Sequence, residues 1–248
     1  MNDNKTAILR YLEANHQQHL DIKAALIDMD GVLFDSMPFH TLAWKSLADQ
    51  LGIEANRDEF YLYEGMTGVA TINLLFRRHC GKEVSVEEAR ELYKIKAGYF
   101  RNSGPVDVIP GAHDVLSCLK RSGIERVLVT GSGQPDTLRR IDEEYEGLFE
   151  PHLRITAADV KHGKPNPEPY LMAQQRIGAA PTQTIVIENA PLGVEAGHAS
   201  GAFTIAITTG PVPKQNLIDS GADLVFDSMP EFAQCLPQLI EDFRNTSL

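Results

Sequence analysis

The chain has 248 residues, of which 43% are hydrophobic and 23% charged, the make-up of an ordinary globular protein with room for one large domain or a core and a smaller unit. A formal net charge of -11 argues against nucleic acid or an anionic membrane as partner, because polyphosphate surfaces need a basic patch to release counterions. It suits a site that holds a cation.

Residues 6–17 read as a leading helix, followed by a short buried strand at 24–27. That strand runs into Asp28-Met29-Asp30-Gly31, so two carboxylates emerge together at its C-terminal end. Facing one space, they repel unless a proton or cation intervenes, although Asp-rich turns after strands also arise without function. From Pro38 to about Gly104 there are helical patterns and no convincing strand. Phe39, Leu42, Ala43, Leu47 and Leu51 form one apolar stripe, which Gly52 could end. Val69, Ile72, Leu75 and Phe76 form a second, ending near Gly81, and Ser85 with Glu88 has capping-box spacing at the start of a third helix.

Beyond this interval, strands at 126–129, about 153–156, 184–187, 203–207 and 223–226 alternate with helices at 113–120, 168–177 and 231–243. The expected fold class is therefore α/β. A Rossmann-like parallel-sheet core takes residues 1–37 and 105–248, and an all-helical cap, 38–104, is inserted after the first core strand. An insertion there stands above the C-terminal edge of the strands, where ligands bind in open α/β folds, and is placed to be a lid. Cys80, Cys118 and Cys235 match neither a zinc spacing nor a disulfide framework and are expected to be free core thiols. The polar start at 1–5 is followed by no secretory or membrane-spanning run, so a cytoplasmic location is expected.

Three later strands also end in polar clusters. Thr130-Gly131-Ser132-Gly133 sets a hydroxyl beside small residues whose N–H groups could bind an anion, though it is equally a good turn. In Lys161-His162-Gly163-Lys164-Pro165, Lys164 stands just ahead of a helix, against the dipole, so an anionic partner is expected for it. Glu188-Asn189 places a carboxylate and an amide at another strand end, and oxygen donors converging on one point suit Mg²⁺.

These four clusters, in this order, resemble the haloacid dehalogenase superfamily from Lys23 to about Phe226. The helical insertion after Asp-Gly-Val-Leu-Phe-Asp-Ser resembles the subgroup that holds small-molecule phosphatases and β-phosphoglucomutase. The resemblance implies Asp28 as nucleophile, Asp30 as general acid and base, Thr130 and Lys164 as phosphoryl-binding groups, and Mg²⁺ held by Asp28, Asp30, Glu188 and Asn189. It further implies substrate contacts from Gly131, Ser132 and, in the cap, from His40, Trp44, Thr67 and Lys96. The family usually has Asp where this chain has Asn189. A unit charge at ligand distance is worth roughly 4 kcal/mol at an effective dielectric of about 20, so weaker metal binding or a larger part for Glu188 follows.

Gly68 stands where the mutase has an arginine that grips a distal phosphate, and Lys96 could replace it in part. The expected function is a Mg²⁺-dependent phosphatase acting, as a monomer, on a small phosphorylated metabolite, with β-phosphoglucomutase as the alternative. A phosphonate hydrolase would need a Schiff-base lysine in the cap, and Lys45, Lys82, Lys94 and Lys96 read more simply as helix-surface charges. A phosphoacceptor signalling module would lack the large insertion.

Overall fold

The computed structural model describes residues 3–133 and 135–248. Six parallel strands, β1 (Ala24–Ile27), β2 (Glu125–Val129), β3 (Arg154–Ile155), β4 (Thr184–Glu188), β5 (Phe203–Ile207) and β6 (Leu224–Phe226), form one sheet in the order β3-β2-β1-β4-β5-β6. Strand order reverses between β1 and β4, which pair in the register Ile27 to Ile187. An acid follows each of these two residues, so Asp28 and Glu188 stand side by side at the end of the strands, at the topological switch point.

Alternation of side chains divides β1 between two apolar layers. Ala25 and Ile27 pack with α1 (Asp3–Ala14), α5 (Ala112–Arg121) and α10 (Met229–Asn245) through Ile8, Leu12, Leu116, Leu119, Leu236 and Phe243. Ala24 and Leu26 pack on the opposite face with Tyr170 and Ala173 of α7 (Glu168–Ile177) and Ala196 of α8 (Pro191–Ala199). Two further helices, α6 (Pro135–Glu144) and α9 (Lys214–Asp219), follow β2 and β5. With both faces covered the strands are continuously apolar, which is why they are legible as short runs.

Between β1 and α5 lie α2 (Met37–Gln50), a 3-10 turn (Arg57–Tyr61), α3 (Gly68–Cys80) and α4 (Val86–Arg101), around an apolar cluster of their own that includes Trp44, Leu47, Phe60, Ile72 and Leu75. The Ser85 hydroxyl accepts the Glu88 N–H at 3.1 Å and starts α4, and Gly81, at φ 67°, ends α3. The inward face of α2 is His40, Ala43, Trp44, Leu47 and Ala48. Leu42, expected in the buried stripe, falls off this 3.6-residue face and is 44% exposed. The leading helix ends at Ala14 rather than Gln17, because its buried residues are Ala7, Ile8, Tyr11 and Leu12 and the chain reverses through His16 at φ 53°. All three cysteines are free, but only Cys118 is buried; Cys235 is half-buried, and Cys80 is exposed at the end of α3. Among the described residues no helix is long and apolar enough to cross a membrane.

At the entry to β6 the Asp223 carboxylate accepts the Thr204 N–H at 2.7 Å, and burial pushes its pKa up to about 6 from 3.8. A carboxyl whose folded pKa is raised keeps its proton longer in the native state, so stability falls as pH rises between about 4 and 6. Asp223→Asn is expected to gain up to about 3 kcal/mol over the native chain at pH 8 and little at pH 4. Urea midpoints at the two pH values measure this, and an equal shift at both would refute it.

Candidate active site

The turn after β1 is wound tightly, with the Leu33 and Phe34 N–H groups both donating to the Met29 carbonyl at 2.9 and 3.1 Å. Gly31 has φ 79°, and a Cβ there would lie 2.0 Å from Asn189 Nδ2, so backbone angle and close approach both require glycine. The turn sends Asp28 and Asp30 into different surroundings, although both line one cavity of about 60 Å³ beneath the helical insertion.

Asp28 is 4% exposed and pairs with the Lys164 ammonium, which also lies 2.6 Å from Glu188 Oε1 and donates to the Val129 carbonyl at 3.1 Å. The Tyr170 hydroxyl donates to the same Glu188 oxygen at 2.6 Å. The expected anionic partner of Lys164 is thus this carboxylate pair and not a group at the α7 terminus, which begins only at Glu168. Glu168 instead fixes the loop, accepting the Lys161 and His162 N–H groups at 2.7 and 3.0 Å. Burial works against charge on Lys164, but Asp28 and Glu188 outweigh it and raise its pKa. Burial raises the Asp28 carboxyl, and Glu188 and Asp30 push the same way against Lys164.

Asp30 has another set of partners. Ser36 Oγ donates to its Oδ1 at 2.5 Å and His40 Nε2 lies 3.3 Å away. Burial opposes ionisation, yet these contacts hold its carboxyl below the ordinary value. His40 stacks on Phe100 with centroids 4.0 Å apart and turns Nδ1 to the Lys96 ammonium at 2.5 Å. That donor on Nδ1 leaves Nε2 to carry the proton facing Asp30. Burial and Lys96 lower the His40 pKa, and burial lowers that of Lys96 to about 7. Lys96, expected as a helix-surface charge, is 2% exposed, with Trp44, Phe100 and Tyr93 rings 4.9, 5.3 and 5.9 Å from its ammonium. Its partners lie on α2 and α4 together, a juxtaposition that no single-helix pattern displays.

The other expected site residues divide. Gly131, Ser132, His40, Trp44 and Lys96 line the cavity with the two aspartates. Thr130 is buried at the end of β2, where its hydroxyl accepts the Ser132 N–H at 3.0 Å and keeps its own proton to donate. Thr67 is not on the cavity wall; its hydroxyl caps α3 through the Ala70 N–H at 3.4 Å, and Thr71 one turn later reaches the wall instead. Glu64 is the residue that sequence reasoning passed over. It is 8% exposed, and its Oε1 accepts the Asn189 Nδ2 hydrogen at 3.0 Å, so the helical insertion brings a carboxylate to the amide that replaces an acid. Burial raises its pKa well above normal, and Asp28, Glu188 and Asp30 add to that rise.

Among the described residues no three His, Cys, Asp or Glu side chains gather closely enough to cage a metal by themselves. The remaining donors nevertheless fit Mg²⁺. Asn189 Oδ1 is buried without a hydrogen-bond partner, beside Glu64, Glu188 and Asp28, all of them hard oxygen groups, and one lysine faces several acids. Three glycines let the insertion approach this closely. A Cβ on Gly131 would lie 2.8 Å from the Gly65 carbonyl oxygen, one on Gly163 2.9 Å from the Thr67 nitrogen, and one on Gly65 3.0 Å from the Lys164 side chain.

Comparison with known proteins gives one family. The family model for haloacid dehalogenase-like hydrolases matches residues 22–201. Hexitol phosphatase A of Escherichia coli (strain K12) is 32% identical over 79% of this chain and 88% of its own length. β-Phosphoglucomutase of Bacillus subtilis (strain 168) is 28% identical over 82% and 88%. A solved structure from Bacteroides vulgatus, provisionally named a β-phosphoglucomutase, is 44% identical with a TM-score of 0.94, covering 98% of this chain and 99% of that one.

Removing the Lys164 ammonium leaves two buried carboxylates facing each other. Lys164→Met is expected to cost about 3–5 kcal/mol at pH 8 and less at pH 5, where the acids take up protons. Chemical denaturation at both pH values tests this, and an unchanged stability at pH 8 would show that the pair is not held by that charge.

Proposed function

Because the chain belongs to the haloacid dehalogenase-like hydrolase family, we propose that it is a Mg²⁺-dependent phosphatase of small phosphomonoesters that works through a phosphoaspartate on Asp28. One observation carries this reading: two carboxylates line the same cavity with partners of opposite kinds, Lys164 on Asp28 and Ser36 with His40 on Asp30. Asp28 attacks phosphorus and the ester bond breaks. Asp30, ionised in the free site, takes the proton of the phosphomonoester monoanion as it binds and passes it to the departing alkoxide, then takes one from the water that hydrolyses the acyl phosphate. The His40 Nε2–H and the Ser36 hydroxyl hold Asp30 toward the cavity through both half-reactions. Lys164 and the Thr130 hydroxyl neutralise and orient phosphoryl oxygens.

Asp28, the Asp30 carbonyl, Glu188 and Asn189 would hold the Mg²⁺, with Glu64 adding the negative charge that Asn189 lacks. The cation would screen the carboxylate nucleophile from the phosphate dianion. The helical insertion acts as a cap, 38–104, whose closure over the glycines of the core shuts water out of the first step.

β-Phosphoglucomutase is the second reading, favoured by the gathering of His40, Trp44 and Lys96 on one wall. Against it, Gly68 offers no cation for a distal phosphate, and the Lys96 amine is engaged by His40.

The test is phosphate release from a panel of sugar and polyol phosphates with Mg²⁺, paired with β-glucose 1-phosphate plus a catalytic amount of its 1,6-bisphosphate. Free phosphate is expected to exceed glucose 6-phosphate, and dominant, bisphosphate-dependent isomerisation would replace the phosphatase with the mutase. Asp28→Asn is expected to remove turnover, and Asp30→Asn to leave a long-lived phosphoenzyme after an activated donor. Steady turnover by Asp28→Asn, with deamidation excluded, would sink the phosphoaspartate.

Glu64→Gln is expected to weaken Mg²⁺ binding to the substrate-free chain about tenfold or more, because a carboxylate in such a site is worth more than 1.4 kcal/mol. Titration calorimetry reads this without turnover, and an unchanged affinity would remove Glu64 from the metal's surroundings.

A further inference from the structure

The far wall of the catalytic cavity is built on a missing side chain. Gly68 opens α3, and a Cβ there would lie 2.2 Å from Tyr93 Cδ2 and 2.5 Å from both Cε2 and Cγ of the same ring. Three ring atoms at that distance mean that the Tyr93 ring is laid flat over the Gly68 backbone, in the volume that any residue at 68 would occupy. Tyr93 comes from α4, and its ring sits 6.0 Å from that of Trp44, against the cluster that contains Phe60. Gly68 and Tyr93 both face the void lined by Asp28 and Asp30.

That void, at about 60 Å³, is narrow and partly open to solvent. A leaving group that extends across it from the aspartates meets the Tyr93 ring. The wall is also wrong for a second anion. An apolar ring would strip water from a distal phosphate and return no counter-charge, and the neighbouring ammonium, on Lys96, is committed to His40 Nδ1 at 2.5 Å.

We propose that Tyr93, seated on Gly68, is the specificity-determining residue of the cap, setting the length of the leaving group and rejecting a second phosphate. The proposal rests on the phosphatase reading for the identity of the ligand, but its steric content does not.

Two measurements test it. The first is a packing cycle read by thermal unfolding of Gly68→Ala, Tyr93→Ala and the double variant. At the start of a helix Gly→Ala ordinarily raises stability. Gly68→Ala is therefore expected to lower the midpoint with Tyr93 present and to leave it unchanged or raised in the Tyr93→Ala background. A rise in both backgrounds would overturn the steric pairing.

The second measurement follows kcat and KM with Mg²⁺ for polyol phosphates of two, three, four and six carbons. The native chain is expected to favour the short members, and Tyr93→Ala to shift the kcat/KM ratio at least tenfold toward the six-carbon one through KM, with Tyr93→Phe retaining the native ratio. The same series is titrated by calorimetry into Asp28→Asn and into Asp28→Asn with Tyr93→Ala. Size selection in binding that moves with Tyr93, without phosphate release by the native chain, would retain the inference and discard the phosphatase. Turnover by the native chain with a size preference unmoved by Tyr93→Ala would do the reverse.

Discussion

A single ammonium, that of Lys164, lies between Asp28 and Glu188, and the arrangement of the site depends on it. The switch in strand order makes these acids neighbours, since Ile27 of β1 pairs with Ile187 of β4 and an acid follows each. Two buried carboxylates so placed repel strongly unless a cation is fixed between them. The loop before α7 supplies one, and Tyr170 from the first turn of that helix satisfies Glu188 from the other side. The sheet topology and the electrostatics are in this sense one constraint, because the pairing that builds the core also creates the charge problem that Lys164 resolves.

The two aspartates of the first motif part company for the same reason. Asp28 remains with the strand ends and their acids. Asp30, two residues later in a turn closed on Met29, faces Ser36, His40 and, through His40, Lys96. Those last two residues belong to the helical insertion, so Asp30 joins the sheet to that insertion while Asp28 joins the strands. The insertion is seated on Gly31, Gly131 and Gly163, where any side chain would meet Glu64 or Asn189, the Gly65 carbonyl, or Thr67. Glu64 enters the acid cluster through that contact and accepts a hydrogen bond from the Asn189 amide, so a carboxylate from a distant part of the chain meets that amide.

Much of this was legible beforehand because it is local. Buried parallel strands are short apolar runs, the Ser85 cap is a spacing, and each strand carries its polar cluster immediately after it. What was misread is what depends on a partner distant in sequence. Leu42 looks apolar, but packing against the 3-10 turn and α4 turned α2 so that it points outward. Lys96 looks like a surface charge, yet aromatic rings from two helices enclose it.

The amino-acid sequence by itself determined the α/β class, the strand positions, the helical insertion and the residue types at the strand ends, because period, turn chemistry and local motifs act over a few residues. Tertiary structure alone decided which charges neutralise one another, that Glu64 meets Asn189, and that Tyr93 fills the space left by Gly68. Those are pairings across 24 to 136 positions of sequence. Their energies arise from desolvation and steric contact, which exist only once the sheet has brought distant segments together.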